Sequence, residues 1–382
     1  MTSPFSLLIK PASADCNLQC EYCFYLQKKD LYPESPRHRM QDYVLEQLIH
    51  SYLSTRQQVY SMIWQGGEPT LMGHDFFGRV VDLQKKYGRP GSRIANSVQT
   101  NATLITPELA SLFADYRFLL GCSLDGPADM HDQYRRTPGH KPSHHLTLQG
   151  IQTLRRHQVP VNGLVLVSQA NVHSPQDVYD YLKAQGLTFL QFVPCVEFDD
   201  QGRLLPFSIS GEQWGRFMLA VFERWLPRDR TKISVRLFES ILSKLVHGQA
   251  SDCCFAPRCN HYYVVEYNGD IYPCDFFVTS RYKLGNIMDT SWAEVQESAV
   301  ARHFSSLKQD LSPACEVCEF RELCMGDCLK FRKNMLHGPQ EQSWLCSGWK
   351  LFFSATLERF KLLARCIRDN TPYPDSYPIG RV

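Results

Sequence analysis

Three cysteines, Cys16, Cys20 and Cys23, stand at positions i, i+4 and i+7 near the start of the chain. They follow the first apolar run, residues 5–9, so we expect them in a loop after a strand. Such a loop can wrap three thiolates around one small inorganic centre. A structural zinc ion and a fully protein-bound 4Fe–4S cluster each take four protein ligands. Three ligands therefore leave one metal with an open coordination position, to which a substrate or cofactor can bind.

A larger group of cysteines lies in the last third of the chain. Its members are Cys253, Cys254, Cys259, Cys274, Cys315, Cys318, Cys324, Cys328 and Cys346. Two β-rich runs joined by Asn268-Gly269 predict a hairpin that brings Cys259 and Cys274 together. Counting one of the adjacent pair at 253 and 254, eight thiolates suit two complete 4Fe–4S clusters or two zinc sites of four thiolates. Spacing alone does not decide between the two metals.

Composition limits the class of protein. With 382 residues and 43% hydrophobic side chains, the chain suggests two domains, or one large α/β domain with an appendage. The net charge of +2 gives no electrostatic sign of nucleic-acid binding. We find no signal peptide and no apolar run long enough for a membrane span, so we expect a cytoplasmic protein. Thiols stay reduced there, and most of the 15 cysteines cluster in metal-ligand spacings, which indicates metal centres rather than disulfides.

The first two thirds of the chain alternate β-rich runs with amphipathic helical patterns. We predict strands at residues 5–9, 60–64, 94–100, 118–123, 161–167 and 189–193. Helices are predicted at residues 42–53, 75–87, 107–113, 145–157 and 175–185. Six βα units in a row favour a parallel sheet wound with helices and curled as a partial barrel. Ligands of such sheets bind at the carboxyl ends of the strands, where the polar segments of this chain fall.

The cysteine spacings and the strand-end segments resemble known families. Cys16-x3-Cys20-x2-Cys23 followed by an aromatic residue resembles the signature of the radical S-adenosylmethionine (SAM) enzymes. The later pattern, C-x9-G-x4-C and then C-x2-C-x5-C-x3-C before a last cysteine, resembles the SPASM domain of peptide-modifying radical SAM enzymes. Four further segments narrow the resemblance to the anaerobic sulfatase-maturating enzymes: 273–277 (PCDFF), 284–287 (LGNI), 123–127 (SLDGP) and 189–192 (FLQF).

This resemblance implies an α/β fold in two domains. A radical SAM partial (β/α)6 barrel would occupy residues 1–230, and a small SPASM domain with a β-hairpin and a C-terminal helix would occupy residues 231–382. The implied cofactors are SAM and three 4Fe–4S clusters, of which the first is held by Cys16, Cys20 and Cys23. The implied ligands of the first auxiliary cluster are Cys253, Cys259, Cys274 and Cys328, and those of the second are Cys315, Cys318, Cys324 and Cys346. Cys253 is preferred to Cys254 because its six-residue step to Cys259 matches the family.

The resemblance also implies which side chains meet SAM and substrate. The implied SAM contacts are Tyr22, Gly66, Gly67, Ser123, Arg135 and Leu190. Tyr25 and Gln65 flank the mouth of the same site and would meet the substrate peptide. Asp275 corresponds to the proton acceptor of the family, and a carboxylate beside a cluster ligand can take a thiol or hydroxyl proton.

The implied reaction is the oxidation of a Cys or Ser side chain to Cα-formylglycine. A 5′-deoxyadenosyl radical takes a hydrogen atom from Cβ, after which one electron and one proton leave. The implied partners are an unfolded sulfatase polypeptide with a C/S-x-P-x-R motif and an electron donor such as flavodoxin or ferredoxin. One alternative is another SPASM-type enzyme that forms thioether or carbon–carbon cross-links, and a second is a non-catalytic zinc-binding adaptor. The choice between Cys and Ser, the electron donor and the oligomeric state stay open.

Overall fold

The computed structural model describes residues 3–332 and 341–374. The chain divides into two compact units that interleave along the sequence. Unit 1 comprises residues 1–124, 131–162 and 259–306, and unit 2 comprises residues 125–130, 163–258 and 307–382. The predicted domain boundary between residues 230 and 231 stays a prediction.

The described residues contain ten strands and thirteen α-helices. The strands are β1 Ser6–Lys10, β2 Val59–Trp64, β3 Arg93–Thr100, β4 Leu119–Ser123, β5 Val161–Val167, β6 Phe189–Pro194, β7 Ser234–Val235, β8 Tyr262–Glu266, β9 Asp270–Tyr272 and β10 Gly285–Asn286. The helices are α1 Asp42–Leu53, α2 Gly73–Tyr87, α3 Pro107–Asp115, α4 Ala128–Tyr134, α5 His144–Arg156, α6 Pro175–Ala184, α7 Gly211–Arg228, α8 Arg236–His247, α9 Trp292–Glu297, α10 Ala299–Ser306, α11 Pro313–Glu316, α12 Arg321–Cys324 and α13 Cys346–Asp369. The predicted strands, helices and C-terminal helix are confirmed, with bounds that differ by at most two residues.

Unit 1 contains seven strands in the order β10-β9-β8-β1-β2-β3-β4. Strands β1 to β4 are parallel neighbours, as the alternation of strands and helices predicts. The predicted hairpin is β8 and β9, and Gly269 in its turn has φ +91°, a conformation that favours glycine. Strand β8 pairs in parallel with β1, so a segment from far along the chain lies beside the first strand.

A compact apolar cluster supports this side of unit 1. It consists of Leu8, Ala14, Tyr25, Val264, Tyr272 and Val278, and each of these side chains is buried. The cluster joins β1 and the cysteine loop to the hairpin strands. Burial of apolar area is the main force that holds such segments together, at about 25 cal/mol for each Å² removed from water.

Unit 2 combines β5, β6 and β7 with three long helices. Helices α7 and α13 approach closely at glycines, since a Cβ at Gly215 would lie 2.4 Å from the carbonyl oxygen of Gly348. Aromatic rings fill the space beside this contact, and Phe222 lies 4.7 Å from Phe360 and 5.4 Å from Phe238 between ring centroids. A capping box formed by Ser210 and Gln213 begins α7.

Candidate functional site

The three-cysteine loop follows β1 directly, as predicted. Cys20 is buried, and Cys16 and Cys23 are partly buried. Burial, together with the carboxylate of Glu68 and the thiols of Cys20 and Cys23, raises the pKa of Cys16 to about 12. A thiol binds a metal as the thiolate, so a cluster bound here must displace this proton and compensate the buried negative charge. The three thiols therefore form one electrostatically coupled group.

The glycine segment after β2 packs against the backbone that leads into this loop. The amide of Gly67 donates to the carbonyl of Ser13 at 2.6 Å, and the amide of Glu68 donates to the carbonyl of Asp15 at 2.8 Å. A Cβ at Gly67 would lie 2.0 Å from the oxygen of Asp15, and Gly66 has φ +137°. The two glycines are thus required for the close approach of the second strand end to the cysteine loop.

Glu68 joins the glycine segment to the end of β3. Its fully buried carboxylate accepts hydrogen bonds from the hydroxyls of Thr70 and Thr100, at 2.5 and 2.7 Å, and from the amide of Asn101 at 2.7 Å. The side chain of Asn101 in turn donates to Asn17 at 2.9 Å, inside the cysteine loop. Burial raises the pKa of Glu68, although these hydrogen bonds oppose the shift. Glu68 therefore holds three strand-end segments in register.

The predicted SAM contacts fall in both units. In unit 1, Tyr22 is buried, its ring lies 5.7 Å from that of Tyr134, and the guanidinium of Arg135 lies 5.4 Å from its ring centroid. Ser123 is buried at the carboxyl end of β4. Leu190 belongs to unit 2, where it is buried in β6. The structure brings Tyr22 and Arg135 together, and the SAM-binding roles of all these residues stay predictions.

The hairpin of unit 1 brings two predicted cluster ligands together, as the Asn-Gly turn indicates. Burial raises the pKa of Cys274 to about 12, and the neighbouring Cys259 contributes to this increase. The hydroxyl of Tyr262 lies 3.4 Å from the sulfur of Cys274. Cys274 immediately precedes Asp275, so the position of the sulfur and that of the carboxylate are linked by the backbone.

Asp275 is buried, and both of its carboxylate oxygens are held. Oδ1 forms an ion pair with the ammonium of Lys10, and Oδ2 accepts a hydrogen bond of 3.1 Å from the side-chain amide of Gln65. The carboxylate is therefore fixed between the ends of β1 and β2. This is the geometry expected of a group that must meet a substrate proton in one orientation.

Lys10 is fully buried at the end of β1. Its ammonium also lies 4.0 Å from the ring centroid of Tyr25. The hydroxyl of Tyr25 donates to Glu266, a fully buried carboxylate that is the register partner of Lys10 across β1 and β8. Tyr25 is thus part of the buried base cluster, which we define as Lys10, Tyr25, Gln65, Glu266 and Asp275.

Four cysteines of unit 2 line one pocket. They are Cys315, Cys318, Cys324 and Cys346, the predicted ligands of the second auxiliary cluster, and Phe320 and Trp349 complete the wall. Burial and the charges of neighbouring acidic groups and thiols raise the pKa of Cys324 and of Cys346. Within residues 3–332 and 341–374, no three His, Cys, Asp or Glu side chains converge on a position for a single metal ion. The four thiols surround a cavity, an arrangement that fits ligands at the corners of a cluster.

The remaining ligands of the first auxiliary cluster lie in different units. Cys259 and Cys274 belong to unit 1, whereas Cys253 and Cys328 belong to unit 2. In unit 2, Lys308 is buried and its ammonium donates to the carbonyls of Cys253 and Cys254, at 2.7 Å in each case. The shared ligation and the preference for Cys253 over Cys254 stay predictions.

The sequence reasoning missed Lys10, Glu266 and the role of Glu68. A signal was present, because Lys10 and Glu266 each end a mostly apolar strand. Charged residues are almost never fully buried unless they are paired. The pairing of β1 with β8 was not visible from either strand alone, so the two residues had no evident partner.

Comparison with known proteins identifies relatives of this chain. A family model described as the radical SAM superfamily matches residues 11–182, and one described as an iron–sulfur cluster-binding domain matches residues 249–319. The serine-type anaerobic sulfatase-maturating enzyme of Bacteroides thetaiotaomicron is 37% identical over 92% of this chain and 89% of its own length. The cysteine-type enzyme of Clostridium perfringens is 32% identical over 96% of this chain and 100% of its own length.

A solved structure extends the likeness to three dimensions. Native anSMEcpe with bound AdoMet and the Cp18Cys peptide matches with a TM-score of 0.89 at 31% identity, covering 96% of this chain and 100% of that one. The predicted fold class, a radical SAM α/β domain followed by a cluster-binding SPASM domain, is confirmed. Among the described residues, no helix is long and apolar enough to cross a membrane.

Proposed function

Because this chain belongs to the anaerobic sulfatase-maturating enzymes of the radical SAM superfamily, we propose that it oxidises a Cys or Ser side chain of a sulfatase to Cα-formylglycine. The observation that carries the proposal is the coincidence of two features in unit 1. A loop of three coupled thiols follows β1, and a buried carboxylate at Asp275 is fixed beside the end of the same strand.

The cofactors are SAM and iron–sulfur clusters, in agreement with the two family models and with the AdoMet-bound relatives. Cys16, Cys20 and Cys23 would hold the cluster with the open position, and the pocket in unit 2 would hold a second one. The remaining ligands would be Cys253, Cys259, Cys274 and Cys328. When bound, SAM and the three-cysteine cluster supply the 5′-deoxyadenosyl radical that takes the hydrogen atom from Cβ of the substrate.

The residues of the chain then handle the proton that leaves. Loss of a hydrogen atom, one proton and one electron converts the hydroxyl of Ser to the aldehyde, or the thiol of Cys to a thioaldehyde that water hydrolyses. Asp275 would accept the proton from the thiol or hydroxyl, because its carboxylate is fixed and buried. Cys274 would help to hold an auxiliary cluster, which would supply the acceptor for that electron.

The partner would be an unfolded sulfatase segment with the C/S-x-P-x-R motif. Support comes from the peptide-bound relative, although both serine-type and cysteine-type enzymes resemble the chain. Electrons would come from a small donor such as flavodoxin or ferredoxin, and we propose a cytoplasmic location.

The direct test uses reconstituted enzyme, SAM, a reductant and two C/S-x-P-x-R peptides that differ only at the modified residue. We expect mass spectrometry to show loss of two hydrogens from the Ser peptide, or the same loss with exchange of sulfur for oxygen in the Cys peptide. Unchanged peptides beside normal SAM cleavage would refute the proposal. A thioether or carbon–carbon cross-link in the peptide would instead support the alternative SPASM-type activity.

A further inference from the structure

A fully buried lysine lies behind the proposed base, and the reaction described above assigns it no role. Lys10 ends β1, whose other described side chains are apolar apart from Ser6. A lone ammonium is costly to bury, so such lysines are paired or change protonation state. The buried base cluster contains the pairing groups.

Backbone register places Lys10 between strand β8 and the segment that follows β2. Lys10 is the Cα partner of Glu266 in the parallel pair β1–β8, so both side chains point to the same face. On the opposite side, the backbone amide of Gln65 donates to the carbonyl of Ile9 at 2.8 Å. A Cβ at Gly66 would lie 3.4 Å from Cδ of Lys10. The stem of Lys10 is thus enclosed by β2 and β8, which limits the positions of its ammonium.

The ammonium of Lys10 and the side-chain amide of Gln65 together hold the carboxylate of Asp275. They contact different oxygens of the carboxylate, so they restrain its rotation as well as its position. The ring of Tyr25 lies 4.0 Å from the ammonium, and the Tyr25 hydroxyl is anchored on Glu266. These contacts of the ammonium, with Asp275 and with the ring of Tyr25, therefore come from within the buried base cluster.

Charge balance gives Glu266 a separate task. When Asp275 accepts a proton, it becomes neutral and no longer balances the charge of Lys10. In a buried site, an uncompensated ammonium would oppose that proton transfer. Glu266, the register partner of Lys10, provides a second buried carboxylate, and the charge of Lys10 opposes the increase in its pKa that burial causes.

We propose that Lys10 is a positioning residue for Asp275, and that Glu266 is the counter-charge that keeps Lys10 in place after Asp275 has taken the substrate proton. This inference depends on the proposed function. Its consequence is specific, since loss of either residue should uncouple SAM cleavage from product formation. SAM cleavage needs the three-cysteine loop, whereas product formation also needs the oriented base.

The experiment measures formylglycine and 5′-deoxyadenosine in the same reaction, for wild type, Lys10→Met and Glu266→Gln. Lys10→Met keeps the length of the side chain and removes its charge. We expect the ratio of formylglycine to 5′-deoxyadenosine to fall by about 10- to 100-fold, because misplacing a reacting group by about 1 Å can cost about 100-fold. Glu266→Gln can still accept from Tyr25, and we expect a smaller fall of about threefold to tenfold, since only the counter-charge is lost.

A matched control uses an exposed ion pair of the same chemical type in unit 1. Lys86 contacts Glu46 at 2.7 Å, and its side chain is 56% exposed. Lys86→Met and Glu46→Gln make the same chemical changes without touching the buried base cluster. We expect both to keep the wild-type ratio. Because the ratio is taken within one sample, it does not depend on how much of each variant folds.

The outcomes separate this inference from the function on which it depends. No formylglycine from wild type with either peptide would refute the proposed function. Formylglycine from wild type with an unchanged ratio in Lys10→Met would overturn the role of Lys10. If Lys10→Met assembles without iron, Glu266→Gln decides, and an unchanged ratio there would overturn the inference.

Discussion

The buried base cluster and the cysteine sites differ in how their charges are balanced. Around Asp275, the chain itself supplies the opposite charge through Lys10, and a hydrogen bond from the side-chain amide of Gln65 holds the remaining oxygen. Around Cys16, the carboxylate of Glu68 and the thiols of Cys20 and Cys23 add to the increase in the pKa of the thiol that burial causes, and the backbone amide of Leu18, which donates to the sulfur, opposes it. The base cluster therefore carries its counter-charge within the polypeptide, whereas the negative neighbours of Cys16 suit the positively charged inorganic centre that we propose for the cysteine loop.

This contrast predicts two kinds of failure. Changes at the cysteines should remove iron and all chemistry, while changes at the carboxylates should leave iron in place and impair product formation.

Cys20→Ala should abolish SAM cleavage. Removing one of three thiolates leaves a cluster without its full ligand set, so we expect iron content to fall by about one third if three 4Fe–4S clusters are present. Iron analysis and chromatography of 5′-deoxyadenosine would check this. Cys366→Ala is the control, because it changes a buried thiol outside the predicted ligand set. It should keep the wild-type iron content and the wild-type rate of SAM cleavage. SAM cleavage at the wild-type rate by Cys20→Ala would contradict the assignment of the loop.

Asp275→Asn should keep its iron and lose product. Removal of a general base typically costs about 10²- to 10⁴-fold, and we expect formylglycine yield to fall within that range while 5′-deoxyadenosine still forms. Asp289→Asn, at an exposed carboxylate of the same unit, should behave as wild type. Equal formylglycine yields from Asp275→Asn and wild type would remove Asp275 as the base.

Glu68→Gln should affect both regions, because Glu68 connects the glycine segment to the cysteine loop. In the wild type, the Glu68 carboxylate accepts from two hydroxyls and one backbone amide. In the variant, the side-chain NH2 group of glutamine would face one of these donors in place of an oxygen. Leaving one such buried group unsatisfied costs about 1–3 kcal/mol, so the free energy of unfolding should fall by that amount. Denaturant unfolding would measure it, and weaker SAM binding should accompany it. Unchanged stability would show that the carboxylate is not needed as the acceptor of these hydrogen bonds.

His38→Gln should have the smallest effect and should appear only as a pH dependence. Burial lowers the pKa of His38, but hydrogen bonds to the carbonyl of Tyr32 and to Asp15 outweigh it and raise the pKa overall. A raised pKa in the folded state means that the stabilisation is complete below the unfolded value of about 6.5 and is lost as the pH rises through the folded value. Thermal unfolding measured as the pH rises from about 6.5 should show this loss of stability in wild type and in the control His303→Gln. The same slope in His38→Gln would contradict the prediction.

Local patterns predicted much of this protein correctly. The strands and helices of the first two thirds followed from alternating periodicity, and Asn268-Gly269 indicated the hairpin. The four cysteines of the unit 2 pocket were grouped from the family resemblance, and the structure brings them together. Lys10 and Glu266 were missed because a charge at the end of an apolar strand has no evident partner until the neighbouring strand is known.

The sequence alone identified the residues with the potential for chemistry: three cysteines in a spacing that would leave a metal open, further cysteines in cluster spacings, and Asp275 beside Cys274. Those features depend on residues that are close along the chain. Tertiary structure alone decided that β8 pairs with β1, which sets Glu266 beside Lys10 and lets Lys10 reach Asp275. The physical reason is that strand pairing over such a long separation is selected by the packing of the whole unit, and no local periodicity encodes it.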